Sequence, residues 1–297
     1  MCIRDRMKMN KYFSAMILGT ALMGMVSCEP VSDPLEKEQY QKEVYLVGAA
    51  QDIQDKEVSY AGDGSLYVSA AIGGTQFPDQ DVQVTIGLAD NAKMDMYNYK
   101  NFSEEDVKYQ ALPEAWYNFP SFTGVIKAGE VYCRIPFTIK TEKIHPDSLY
   151  VIPLKVVTTS AYSIVEKDTT LLVHPKMVND YSGAYTFEGT TWEMKNGEKI
   201  MSSASATTTL RNAVALNAST IRLFQKVALE KVKNVADNCY NIRVNADNTL
   251  TVTSYDKMPI TNGGGTYDKD KGTFTFWYTT TEGGKEYRTE ATLTKSK

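Results

Sequence analysis

Thr273-Phe274-Thr275-Phe276-Trp277-Tyr278-Thr279 is the stretch whose reading decides the fold class. In a strand, residues two apart share a face and neighbours point opposite ways. Phe274, Phe276 and Tyr278 then lie on one side, and Thr273, Thr275, Trp277 and Thr279 on the other. Threonines and aromatics at that period suit a strand with one face buried. Two arrangements satisfy the pattern. With the phenylalanines in the core, Trp277 stands outside on a threonine-rich surface, where a large indole invites a partner. With the faces reversed, Trp277 fills the interior of a barrel.

The same alternation extends in both directions along the second half of the chain. Strands are expected at Tyr181 to Phe187, Ala206 to Leu210, Tyr240 to Val244, Leu250 to Ser254 and Tyr287 to Leu293. Turns are expected at Lys195-Asn196-Gly197, Asn245-Ala246-Asp247-Asn248, Asn262-Gly263-Gly264-Gly265 and Glu282-Gly283-Gly284, whose residues tolerate the backbone angles of tight hairpins. Asp268 to Gly272 reads as another hairpin turn, because its lysines and the Thr at position 279 do not suit a calcium loop. Successive hairpins predict an antiparallel, lipocalin-like β-barrel over residues 180–297. Ile221 to Val235 fits both periods, and a strand followed by an irregular or helical connection is expected.

Residues 43–175 carry the strand signals of a β-sandwich, among them Val44 to Val47, Ser65 to Ala71, Val82 to Leu88, Val131 to Ile139, Leu149 to Thr158 and Ser163 to Val173. Ser103-Glu104-Glu105-Asp106 predicts a short helix in a connection. The last strand of this half is expected to end at His174-Pro175, with the boundary running to Asn179-Asp180. Pro153, inside an apolar run, predicts an edge or a bulge.

Residues 1–27 read as a leader. Met1 to Arg6 resembles a translated sequencing adapter, and the expected start is Met7 or Met9. Lys8 and Lys11 then precede an apolar run from Tyr12 to Val26, the plan of a secretory signal. Met25-Val26-Ser27-Cys28 resembles a lipobox, so Cys28 is expected to be acylated and to anchor the chain in a membrane. Residues 28–42, with Pro30, Pro34 and many charges, predict a solvated tether. Without the leader, 28 basic residues face 35 acidic ones, a net charge of −7, which gives no electrostatic reason to bind nucleic acid. Cys133 and Cys239 fall in different halves and are expected to be buried free thiols.

Leu112-Pro113 with Tyr117, Ile126 to Glu130 around the Ala128-Gly129-Glu130 turn, and Tyr150 to Leu154 together resemble the Ig-like N-terminal domain of unassigned function on surface lipoproteins of Bacteroidota glycan-utilisation loci. Tyr181-Ser182-Gly183-Ala184-Tyr185 and Phe274 to Tyr278 resemble the β-barrel domain that often accompanies it. The resemblance implies an all-β protein on the outer membrane, facing outward, with a binding or spacer role beside a glycan importer and glycoside hydrolases encoded elsewhere.

Chemistry is sparse. The chain has two histidines, His145 and His174, each followed by proline and expected in solvent turns; no nucleophile motif accompanies them. No catalytic residue, cofactor or metal site is expected. Carbohydrate binding asks for aromatic faces with polar groups at their edge. The candidates are Trp277, Trp192 with Glu193 and Asn196 near a hairpin, and Trp116 in a loop. The leading expectation is a glycan-binding surface lipoprotein; the alternative is a structural or adhesive subunit that binds protein partners.

Overall fold

The computed structural model describes residues 38–167, 169–226 and 234–296. Cys28, the leader and most of the tether lie outside the described residues, as does much of the ambiguous segment after Phe224.

Two sheets form the first half. One runs β10 (Ser163–Ile164), β1 (Glu43–Leu46), β3 (Ser65–Gly73), β8 (Tyr132–Ile139), β6 (Tyr117–Asn118). The other runs β2 (Gln54–Ser59), β11 (Leu171–Val178), β9 (Tyr150–Thr159), β4 (Val82–Leu88), β7 (Thr123–Ile126), with β5 (Gln110–Ala111) also beside β9. Val82, Val84 and Ile86 point inward, as their spacing requires, and meet Val44, Val68, Ile135 and Phe137 from the facing sheet. Each such side chain contributes about 1.5–3 kcal/mol through burial, so the interface between the sheets is the main support of this domain.

Three local expectations are corrected. The helix is α1 (Ala92–Asn101), not Ser103 to Asp106. Its amphipathic signal is weak, and polar pins hold it instead: Asn98 exchanges hydrogen bonds with the Tyr109 backbone at 2.8 and 2.9 Å, while the Lys93 ammonium donates to three carbonyls, those of Ala49, Gln51 and Thr170. Ser103 and Asp106 close a turn in which the carboxylate accepts from both the backbone N–H and the hydroxyl of Ser103. Pro153 lies in a central strand rather than on an edge. It falls where one flank of β9 changes partner, since β5 ends opposite Val151 and β4 begins opposite Leu154, so its missing N–H interrupts no continuous ladder. Likewise β11 does not stop at Pro175. Beyond Val173 it leaves β9 and pairs with β2 alone, up to Val178, and His174 sits within the strand, its Nδ1 2.7 Å from the Tyr150 carbonyl, rather than in a solvent turn.

The second half is a closed barrel of eight antiparallel strands: β12 (Gly183–Lys195), β14 (Ser205–Asn217), β15 (Thr220–Phe224), β16 (Cys239–Val244), β17 (Thr249–Ser254), β18 (Ile260–Asp268), β19 (Thr273–Glu282) and β20 (Lys285–Lys295), with β20 returning to pair with β12. A two-residue strand, β13 (Glu198–Lys199), extends the β12 hairpin, and one helical turn, α2 (Val235–Asn238), precedes β16. The β12–β13 and β19–β20 turns carry positive φ at Asn196 and Gly197 and at Gly283 and Gly284, the geometry that matches strand twist. Gly263 to Gly265, expected as a turn, lie inside β18. A Cβ on Gly265 would sit 2.2 Å from the Thr275 carbonyl oxygen and one on Gly263 2.7 Å from Val252 Cβ, so glycine here permits close approach of neighbouring strands rather than a reversal.

The domains meet through polar contacts. The Asn179 amide donates to the carbonyls of Asn217 at 2.6 Å and Thr220 at 3.0 Å, which binds the linker to the barrel. Beside it, the Arg222 guanidinium of β15 grips both oxygens of Asp147 from the sandwich. The Tyr255 hydroxyl donates to Asp147 at 3.0 Å and lies 3.2 Å from His145 Nε2, so His145, though exposed, belongs to the junction. Neither Cys133 nor Cys239 is in a disulfide among the described residues; Cys239 is buried and Cys133 only partly so, with burial pushing the Cys133 thiol pKa up.

Candidate functional site on the outer barrel wall

β19 resolves the choice left by its alternation. Phe274, Phe276 and Tyr278 are buried in the barrel and Trp277 is on the outer face, half-buried. Cross-strand register then brings Trp192 to the same face. One row across β12, β20 and β19 reads Trp192, Arg288, Thr279, and the next reads Thr190, Glu290, Trp277.

Cations lie against both indoles. The Arg288 guanidinium stacks 3.4 Å from the Trp277 ring centroid and the Lys199 ammonium lies 4.2 Å from that of Trp192. Glu290 joins them, 2.7 Å from Lys199 and 3.4 Å from Arg288. Its hydrogen bond to Lys199 holds the carboxyl below the usual carboxylate range, against the opposing effect of partial burial. Trp192 Nε1 is buried and finds no acceptor among the described residues.

Beside Trp277 the wall is hollowed into an open groove of about 660 Å³. A continuous row of Thr208, Glu188, Thr292, Thr275 and Thr266 crosses its floor, one residue from each of five strands. Hydroxyls and carboxylates beside an indole wall are the groups that recognise a sugar: they can donate to and accept from its hydroxyls while the ring packs on an apolar face. Of the residues singled out by sequence, Trp277 lines the groove and Trp192 lies next to it. Glu193 points elsewhere and pairs with Lys285 at 3.0 Å; Asn196 is at the exposed turn tip. Trp116 is in the other domain, packed edge-on against Tyr150 at 5.5 Å. Arg288, Lys199, Glu290 and the threonine row had no sequence signal of their own, since only barrel register assembles them.

Among the described residues, no group of three His, Cys, Asp or Glu side chains could hold a metal ion, and no helix is long and apolar enough to cross a membrane.

A family model for an N-terminal domain matches residues 40–163, and a companion model for a C-terminal domain matches residues 169–294. Together the two matches span most of the chain. Among solved structures, a multidomain Bacteroides ovatus protein that includes a domain of unknown function superposes with a TM-score of 0.62 at 19% identity, covering 86% of this chain and 94% of the other. A second Bacteroides ovatus protein, of unknown function, gives 0.60 at 18% identity over 85% and 94%. An auxiliary nutrient binding protein from Bacteroides thetaiotaomicron gives 0.59 at 16% identity over 83% and 91%. At such identities these likenesses speak for the fold. No curated protein matches the sequence at a significant level.

Proposed function

We propose that this protein is a non-catalytic glycan-binding lipoprotein, anchored through Cys28 to the outer membrane and facing outward, that holds glycan in the groove beside Trp277. The observation that carries the reading is the groove itself: an indole wall over a floor of threonine hydroxyls and Glu188 on a rigid five-strand surface. The fold likeness to an auxiliary nutrient binding protein of Bacteroides thetaiotaomicron is consistent with it. In this role the chain captures poly- or oligosaccharide for a neighbouring importer and glycoside hydrolases. The alternative, a structural subunit that accepts a partner's strand, needs a long free sheet edge. The barrel is closed, and the sandwich edges are the two-residue β6 and β10, the four-residue β7, and β2, which carries Asp55, Lys56 and Glu57.

Affinity electrophoresis of the chain against host and plant polysaccharides tests the proposal. Retardation by at least one neutral glycan is expected, with clear loss in Trp277→Ala and a smaller loss in Trp192→Ala. No retardation by any glycan sinks the function; full retention by Trp277→Ala removes the site.

A further inference from the structure

The barrel opens at the end away from the sandwich, and a cavity of about 550 Å³ enters it there. Thr191, Thr207, Thr280 and Thr289 contribute its walls, and the β19–β20 hairpin its rim. Arg211, from β14, reaches into this space and is only 5% exposed. Its Nη2 donates to the Gln225 carbonyl at 3.1 Å and its Nη1 to that of Leu210 at 3.5 Å, and the guanidinium lies 5.2 Å from the Phe187 ring centroid. Nε is buried without an acceptor.

Among the described residues, what the guanidinium lacks is a counter-charge. The barrel's other buried arginine, Arg222, is held by Asp147. No carboxylate among the described residues pairs with Arg211: at the rim, Glu282 pairs with Lys226 at 3.4 Å and Glu193 with Lys285 at 3.0 Å. Two backbone carbonyls and an aromatic face solvate a cation only in part, and a guanidinium cannot shed its proton to escape the cost of burial. An anion entering the cavity would meet a charge that is already desolvated, and the planar fork suits a carboxylate. Around it, the threonine hydroxyls and the Tyr287 phenol suit a polyol, and the volume suits a small molecule.

We infer that the barrel mouth is a second binding site, for a small sugar acid whose carboxylate pairs with Arg211. The carboxylate follows from the arginine alone; the choice of a sugar as its carrier rests on the proposed glycan role.

Isothermal titration of the full chain with D-glucuronate and D-galacturonate tests it, with D-glucose, D-galactose and methyl glucuronate ester as neutral comparisons. At least one uronate is expected to bind, and the neutral probes to bind about 30-fold or more weakly, the order expected when one partner of a buried charge pair is removed. Arg211→Met should abolish uronate binding without lowering the melting temperature, because it removes a buried charge while keeping the volume. Trp277→Ala should leave uronate binding intact. Absence of uronate binding, or equal binding by Arg211→Met, overturns the inference. Retardation by neutral glycan that persists when uronates fail to bind removes this site and leaves the proposed function standing.

Discussion

Replacing Asp147 by alanine should remove the carboxylate that pairs with Arg222 and leave that arginine buried without its counter-charge. Arg222 is 4% exposed, and both Asp147 oxygens face it. Removing one partner of a buried pair costs about 3–5 kcal/mol, mostly from the charge left behind. The Asp147 side chain is 16% exposed, so water can partly replace it and the lower end, about 3 kcal/mol, is expected. At roughly 4 °C per kcal/mol for a domain of this size, the barrel's melting temperature falls by about 12 °C. Differential scanning calorimetry should also show one transition becoming two as the barrel loses its tie to the sandwich. The control is Asp147→Leu with Arg222→Met, which removes both charges together and should come within about 1 kcal/mol of the parent. If Asp147→Ala costs less than about 1 kcal/mol, or the double variant is as unstable as the single one, the pair is not what joins the domains.

Three further outcomes are expected. Gly265→Ala should cost at least about 3 kcal/mol in urea unfolding, because its Cβ would meet the Thr275 carbonyl oxygen at 2.2 Å, whereas Gly272→Ala, with φ of 62° and nothing within 4 Å, should cost about 1 kcal/mol. Alkaline titration followed at the phenolate absorbance should find Tyr60 and Tyr109 protonated well past pH 10, since burial pushes both to about 12. A raised folded-state value means that their contribution is full below the unfolded value of about 10 and is lost as pH rises toward 12, so stability should decline across that window. Ellman's reagent should modify Cys133 slowly and Cys239 only on unfolding, because Cys239 is 0% exposed.

What could be read from the chain was what depends on near neighbours. The alternation at 273–279 put Phe274, Phe276 and Tyr278 on one face, and the Asn196-Gly197 and Gly283-Gly284 pairs marked hairpins because few other residues adopt their backbone angles. The failures share a cause. Gly263 to Gly265 read as a loop because the close contacts that require glycine there come from the adjacent strands, which no local pattern shows. Pro153 read as an edge or a bulge and Pro175 as a strand end because the change of pairing partner that accommodates them is a property of the sheet. Ser103 carried a helix-start signal, yet α1 ended just before it, pinned by tertiary hydrogen bonds. The candidate sites divide the same way. Trp277 was visible as an odd residue on a threonine face, but Arg288 and Glu290 reach it only through the β19–β20 register, and Arg211 is notable only for a missing partner, which no local pattern encodes.

Asn179 has a mechanical consequence. Its two amide bonds, with the Arg222–Asp147 pair beside them, tie the barrel to the end of β11, so the second domain is carried like the arm of a bracket. β12 starts at this joint and reaches the mouth by Thr191; eight steps at about 3.3 Å, shortened by strand tilt, set the opening roughly 20 Å from the joint. Turning the sandwich therefore aims the barrel's opening, and the two cannot point independently.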